Sequence, residues 1–319
     1  MNAAGSLRRP GPDLPPVGER PARTVGTAMA LLQAMRPRQW TKNLLCAAAL
    51  VMANRLRDLM ADIRMIYCVV LFCLLSSVVY LLNDSLDVER DRLHPKKRFR
   101  PIASGALPIR TAQAAAAVLG VGSLLLSLVL GGSFFLTAVA YLVLQCGYVF
   151  YLKHEVLLDV FAIAMGYVVR AAAGAVAIGV TISPWLYVCT ILGGLFLALG
   201  KRRQELVELD TLASSHRRNL AHYSVALLDQ LITIVSASTI AAYSLYTFTA
   251  PNLPRNGTMM ITIPFAIYGL FRYLYLVHQR GDGASPEEVL IRDRPLQVCI
   301  MLWAAIAIAV VGGAFGHAA

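Results

Sequence analysis

Charge is scarce in this chain. Asp, Glu, Lys and Arg make up only 15% of its 319 residues, where a soluble domain carries roughly 25%. Acid is scarcer than base, with 18 acidic against 29 basic side chains and a formal net charge of +11. Cys46, Cys68, Cys73, Cys146, Cys189 and Cys299 all lie inside apolar runs, without zinc-ligand spacing. They read as small core residues, with no disulfide framework. No two histidines stand four apart on one helix, which removes a helical zinc pair. Neither a Gly-x-Ser-x-Gly nor a Walker-type Lys-Ser/Thr loop occurs, so serine-hydrolase and P-loop ATPase chemistry have no anchor. Residues 1–25 lack any apolar stretch and are rich in Pro, Gly and Arg. They are expected to form a disordered basic tail and not a signal peptide.

Hydrophobic residues are abundant, at 57% of the chain, with a mean hydropathy of +0.61. Mostly apolar runs of about 18 residues or more recur from end to end. Lipid offers nothing to an unpaired peptide group, so such runs must be helical. The sequence predicts an all-α, polytopic membrane bundle of about nine transmembrane helices, near 40–54, 63–83, 109–130, 134–152, 156–179, 182–200, 228–249, 260–279 and 296–316. Residues 26–319 make a single transmembrane domain in this reading, with 28–36 as a short helix along the interface.

The positive charge is not a nucleic-acid footprint, because it sits in tails and short loops. The N-terminal tail, 84–108, Lys153-His154, 201–227 and 280–295 are basic and fall on one side. The loops around Gly131, Thr181 and Asn256 carry only Arg255, although the first loop departs mildly with Arg55, Arg57 and Arg64. Lys/Arg bias therefore puts the N-terminus in the cytoplasm, the C-terminus outside, and the chemistry at the cytoplasmic end of the bundle in the cell membrane.

The densest chemistry runs from Asn83 to Pro101. An apolar run ends in Asn83, Asp84, Asp87 and Asp91, and a basic run from Arg92 through Lys97 to Arg100 follows at once. On a continuing helix, Asn83, Asp87 and Asp91 stand at i, i+4 and i+8, and Asp84 joins Asp87 and Asp91 at i, i+3 and i+7. Stacked carboxylates call for a hard cation, Mg²⁺ first, held by Asn83, Asp87 and Asp91. Asp84 is expected to matter less. The basic run would grip a phosphorylated substrate. Two further clusters share that side: Tyr151 and Lys153 leading to Asp159 and the deep Arg170, and Lys201, Arg202 and Glu205. Asp159, Tyr167 and Arg170 fall on one helical face. An ionised Arg at that depth costs at least ~2.5–3.5 kcal/mol and needs a cavity or a partner.

Asn83-Asp84-x-x-Asp87-x-x-x-Asp91, followed by Arg100-Pro101-Ile102-Ala103-Ser104-Gly105, resembles the first aspartate motif of the UbiA superfamily of intramembrane prenyltransferases. Arg36-Pro37-x-Gln39-Trp40-x-Lys42-Asn43, His94-Pro95-x-Lys97, Leu152-Lys153-His154 with Asp159, Gly200-Lys201-Arg202 with Glu205, and Arg292-Asp293-Arg294 are similar to its decaprenyl-phosphate phosphoribosyltransferase branch. The resemblance implies transfer of 5-phosphoribosyl from phosphoribosyl diphosphate to a polyprenyl phosphate, in arabinan and cell-wall precursor synthesis. It makes Asp84, Asp87 and Asp91 the catalytic carboxylates and Mg²⁺ the cofactor. It makes Lys42, Arg92, Lys97, Arg100, Tyr151, Lys153, Asp159, Arg170, Lys201, Arg202 and Glu205 the substrate-binding set. Where aromatic prenyltransferases carry a second Asp-x-x-x-Asp motif, this chain has Lys201-x-x-x-Glu205, which suits a donor with an extra phosphate. The alternative is transfer of a polyprenyl group from its diphosphate to an aromatic or other small acceptor. Homo-oligomerisation is left open.

Overall fold

The computed structural model describes residues 26–94, 97–182, 184–210, 220, 222–250, 253–279, 289 and 292–312. The expected tail over 1–25, His216 and the end of the last span lie outside these residues. Every regular element among the described residues is helical: α1 (Thr27–Ala34), a 3₁₀ segment (Pro37–Ala47) continuing as α2 (Ala48–Met52), α3 (Leu59–Leu86), α4 (Val88–Leu93), α5 (Ile109–Ser127), α6 (Gly132–Phe150), α7 (Leu158–Ala177), α8 (Pro184–Asp210), α9 (Val225–Thr249), α10 (Ile263–Gln279) and α11 (Arg294–Val311). Among the described residues eight helices, α3 and α5 to α11, are long and apolar enough to cross a membrane.

The span expected at 40–54 takes another form. As α-helix, Pro37–Met52 would extend only about 24 Å, short of the ~30 Å hydrocarbon core. Wound mostly as 3₁₀, with its larger rise per residue, it reaches about 30 Å. Its ends agree, since Arg36 pairs with Asp84 near the C-terminus of α3 while Met52 meets the Tyr246 hydroxyl near the C-terminus of α9. Residues three apart eclipse in a 3₁₀ helix, which puts Trp40, Asn43 and Cys46 on one face. Trp40 Nε1 donates to Ser77 Oγ at 3.1 Å, and Asn43 Nδ2 to Ser76 Oγ at 3.2 Å. A Cβ on Gly174 would stand 1.9 Å from the Cys46 carbonyl oxygen. This face is locked against α3 and α7, and tertiary contacts thereby stabilise a conformation that is rare at such length.

The small residues of α7 set the centre of the bundle. Ala162, Ala164, Gly166, Ala171, Ala173, Gly174, Ala175 and Ala177 are buried, and small side chains let helices approach closely in lipid. On α8, a Cβ at Gly194 would come within 2.9 Å of Ala164 Cα. One core gathers around Phe72, tilted against Tyr141 at 5.1 Å and meeting Phe134 at 6.2 Å. A second core lies between α7 and the last four helices, with Phe196 against Tyr273 at 5.0 Å. Ion pairs from Lys153 to Asp87, Arg202 to Asp159 and Arg203 to Asp229 bring the C-termini of α3 and α8 and the N-termini of α7 and α9 to one end.

Candidate active site

The acidic motif sits where α3 gives way to α4. Asp87 caps both helices with φ −93° and ψ 11°, a bridge-region conformation frequent at active sites. The Asp87 N–H donates to Asn83 O, and the Asp91 N–H to Asp87 O, both at 2.9 Å. The four-residue register therefore survives the break. The side chains pair along the other expected row. Arg100 Nη1 stands 3.1 Å from Asp84 Oδ1 and 2.6 Å from Asp91 Oδ2, bridging two buried carboxylates seven residues apart. Arg36 Nη2 is 2.6 Å from the same Asp84 oxygen, and its guanidinium lies 4.9 Å over the Tyr80 ring. Lys153 Nζ, buried in the turn after α6, stands 3.3 Å from both Asp87 oxygens. Among the described residues Asp84 meets two guanidinium groups, and Asp87 and Asp91 one cation each.

Among the described residues, no three His, Cys, Asp or Glu side chains form a ready metal cage. The donors are nonetheless all oxygen, as a hard divalent cation requires. Asp84 and Asp91 also already converge on one cationic nitrogen. The set fits magnesium on condition that Arg100 gives way.

Beside it lies a second constellation. Arg202, 1% exposed, donates from Nε to Asp159 Oδ2 at 2.5 Å, from Nη1 to Glu205 Oε2 at 2.5 Å and from Nη2 to Tyr148 Oη at 3.2 Å. Asp159 also takes the Tyr223 hydroxyl at 2.7 Å and the Val160 N–H at 2.8 Å. Burial, then the bond to Asp159, pushes the Tyr223 phenol up to about 12, so it stays a donor. Its oxygen accepts the Leu157 N–H at 2.7 Å, holding that residue at φ 65°. Lys201, next door, is exposed.

Arg170 belongs elsewhere. It lies eleven residues beyond Asp159, about 16 Å deeper along α7. Nε donates to Asn43 Oδ1 at 2.8 Å, Nη1 to Gly166 O at 2.7 Å and Nη2 to Tyr141 Oη at 2.7 Å. The rings of Tyr141 and Tyr167 flank the guanidinium at 4.9 Å and 5.7 Å. Neutral acceptors and aromatic faces offset its desolvation while fixing the 3₁₀ segment to α7. The free faces of that segment, with Thr41, Lys42, Leu44 and Leu45, line a cavity of about 920 Å³ between it and α7 to α11. Its walls are almost wholly apolar, and Lys42 is a cation on its border.

The sequence matches the UbiA prenyltransferase family over residues 43–290. The chain belongs to the UbiA prenyltransferase family. Decaprenyl-phosphate phosphoribosyltransferase of Mycolicibacterium smegmatis is 35% identical over 288 residues, 86% of this chain and 89% of that protein. The protein of the same name from Mycobacterium tuberculosis is 36% identical over 290 residues, 89% and 93% of the two chains. A UbiA homolog from Archaeoglobus fulgidus, solved bound to DMAPP and Mg²⁺, superposes with a TM-score of 0.66 at 18% identity, covering 88% of this chain and 99% of that one. The protein is a multi-pass membrane protein with the UbiA fold.

In this UbiA chain the structure brings together Asp84, Asp87, Asp91, Arg100 and Lys153. Asn83 is half-buried beside them and makes no side-chain hydrogen bond among the described residues. Arg92 turns outward to Glu89 at 3.0 Å and the Ala103 carbonyl at 3.3 Å. Lys97 is half-buried, and Tyr151 is 75% exposed. Arg170 is fastened inside the bundle, away from the acids. The pairing of Arg36 with Asp84 was not expected from the sequence, nor was any role for Tyr223. Tyr223 lies 64 positions from its carboxylate, and a loop tyrosine carries no pattern to betray such a contact.

Proposed function

We propose that this chain transfers 5-phosphoribosyl from phosphoribosyl diphosphate to a polyprenyl phosphate, releasing diphosphate. The observation that carries the reading is near full-length similarity to proteins named for that activity. The dense mixture of acids and bases at one end of the bundle supports it. A phosphate oxygen of the acceptor attacks the anomeric carbon as the bond to diphosphate breaks, converting α to β. The acceptor is already anionic, so no strong base is required. Magnesium would be held by Asp87 and Asp91 with Asn83 and Asp84 adjoining, and when bound it neutralises the departing diphosphate. Arg100, Lys153 and Lys97 place positive charge around the phosphates, and most of the rate enhancement comes from such positioning and charge.

Lys201 rather than Arg202 faces outward to take the donor's 5-phosphate. Arg202, Asp159, Glu205 and Tyr223 hold that corner in shape, and Arg170 with Asn43 holds the segment bearing Lys42. The lipid phosphate rests near Lys42 with its chain in the apolar cavity. The basic residues at this end support a cytoplasmic site, where a soluble sugar-phosphate donor is available.

Lys201→Ala is expected to raise the KM for phosphoribosyl diphosphate by about one to two decades, the worth of one charge-assisted contact. It should leave the polyprenyl phosphate KM nearly unchanged, and Lys42→Ala should show the reverse bias. Equal effects of each variant on both substrates would contradict this assignment. Turnover of polyprenyl diphosphate with an aromatic acceptor, and none with the sugar donor, would establish the prenyl-transfer reading instead.

A further inference from the structure

The cavity beside the 3₁₀ segment is lined by large side chains at the end remote from the acidic motif. On each element the most remote lining residue is large: Met52 on α2, Trp185 on α8, Tyr243 and Tyr246 on α9, Phe265 on α10 and Trp303 on α11. Trp185 is 16 residues before Lys201, about 24 Å along α8. Four of these groups are held by hydrogen bonds. Trp303 Nε1 donates to Tyr243 Oη at 2.7 Å, Tyr243 Oη shares a hydrogen with Thr262 Oγ1 at 2.6 Å, and Tyr246 Oη meets the Met52 sulfur. Behind them Ala250, Leu253, Met259, Ala307, Val310 and Val311 form one buried cluster with Tyr246. In so apolar a setting each hydroxyl and indole N–H requires a partner. The bonded pairs therefore fix the ring positions.

We propose that this hydrogen-bonded aromatic plug, with Trp303 and Tyr243 at its centre, is the floor that limits how far an acceptor's polyprenyl chain enters the protein. The proposal rests on the reading that the cavity holds such a chain. Between Trp185 and Leu197, the lining positions at either end of α8, the depth is about 18 Å, far less than a stretched chain of ten isoprene units. A chain that meets the floor must turn sideways into the bilayer. Leu44 and Ile300, which line the cavity and are 61% and 40% exposed, mark the side where it does so. Moving from lipid to cavity, the chain exchanges one apolar surrounding for another, so each enclosed unit gains by packing against the dense protein wall and units beyond the floor gain nothing.

The test is the KM for a series of polyprenyl phosphates of one to ten isoprene units, with phosphoribosyl diphosphate saturating. In the native protein KM should fall with each unit until the chain reaches the floor and then level off. In Trp303→Ala the break should move to longer chains by at least one unit. Trp303→Phe, which keeps most of the bulk, should move it less. A short acceptor with a photoreactive ω-terminus should label Tyr243 or Trp303 in the native protein, and a ten-unit one should not. An unchanged break in Trp303→Ala, or terminal label from the short acceptor found only on Leu44 or on lipid, overturns the floor. Should the native protein use no polyprenyl phosphate of any length, the proposed function fails first, and that outcome is separate.

Discussion

Asp91→Asn is expected to lower kcat at least ~10²-fold, as loss of a key charge stabiliser does, with Asp87→Asn close behind. Asp91 is 4% exposed, and its carboxylate reaches Arg100 at 2.6 Å. Replacing it removes one oxygen donor from the metal set and leaves Arg100 paired with Asp84 alone among the described residues. Magnesium titration should show a weakened dependence in both variants, and excess chelator should abolish native activity. Asp84→Asn is expected to act differently. Its carboxylate binds both Arg36 and Arg100, so its loss loosens the 3₁₀ segment as well, and melting temperature should fall alongside rate. Measuring kcat at saturating substrates together with a thermal melt separates the two. Full activity of Asp91→Asn in excess EDTA would contradict the assignment.

The second large effect is on stability. Among the described residues, Arg202→Met leaves the Asp159 carboxylate, 1% exposed, with the Tyr223 hydroxyl and the Val160 N–H. Removing one partner of a buried pair costs about 3–5 kcal/mol, mainly because the other charge is stranded. A drop of that size should appear as a much lower melting temperature in detergent. Asp159→Asn added to Arg202→Met should recover part of the loss, since no buried charge then remains unpaired. If Arg202 were instead a plain phosphate ligand, Arg202→Met would raise the donor KM and leave the melt unchanged.

Helix type and order were legible because long apolar runs in lipid admit one regular structure. The acidic motif was legible because helical spacing puts its members on neighbouring rows. What spacing did not report was the partner. The i, i+4 register of Asn83, Asp87 and Asp91 carries through the break at Asp87, while Arg100 joins Asp84 to Asp91. The Pro37–Ala47 segment hid for a related reason. Its period of three is set by Trp40, Asn43 and Cys46 meeting α3 and α7, and nothing local announces it. Asp159 and Arg170 share a face of α7, yet each takes its partner from another helix: Arg202 on α8 and Tyr141 on α6. Spacing along one helix reports which side chains are neighbours, not which element completes them.

The most direct measurement supplies the purified protein with magnesium, phosphoribosyl diphosphate labelled in its ribose, and decaprenyl phosphate. Label should pass into the organic phase in proportion to diphosphate released, as the β-linked phosphoribosyl lipid, and should stay aqueous with Asp91→Asn. Label that stays aqueous with the native protein, while polyprenyl diphosphate is consumed against an aromatic acceptor, would contradict the account.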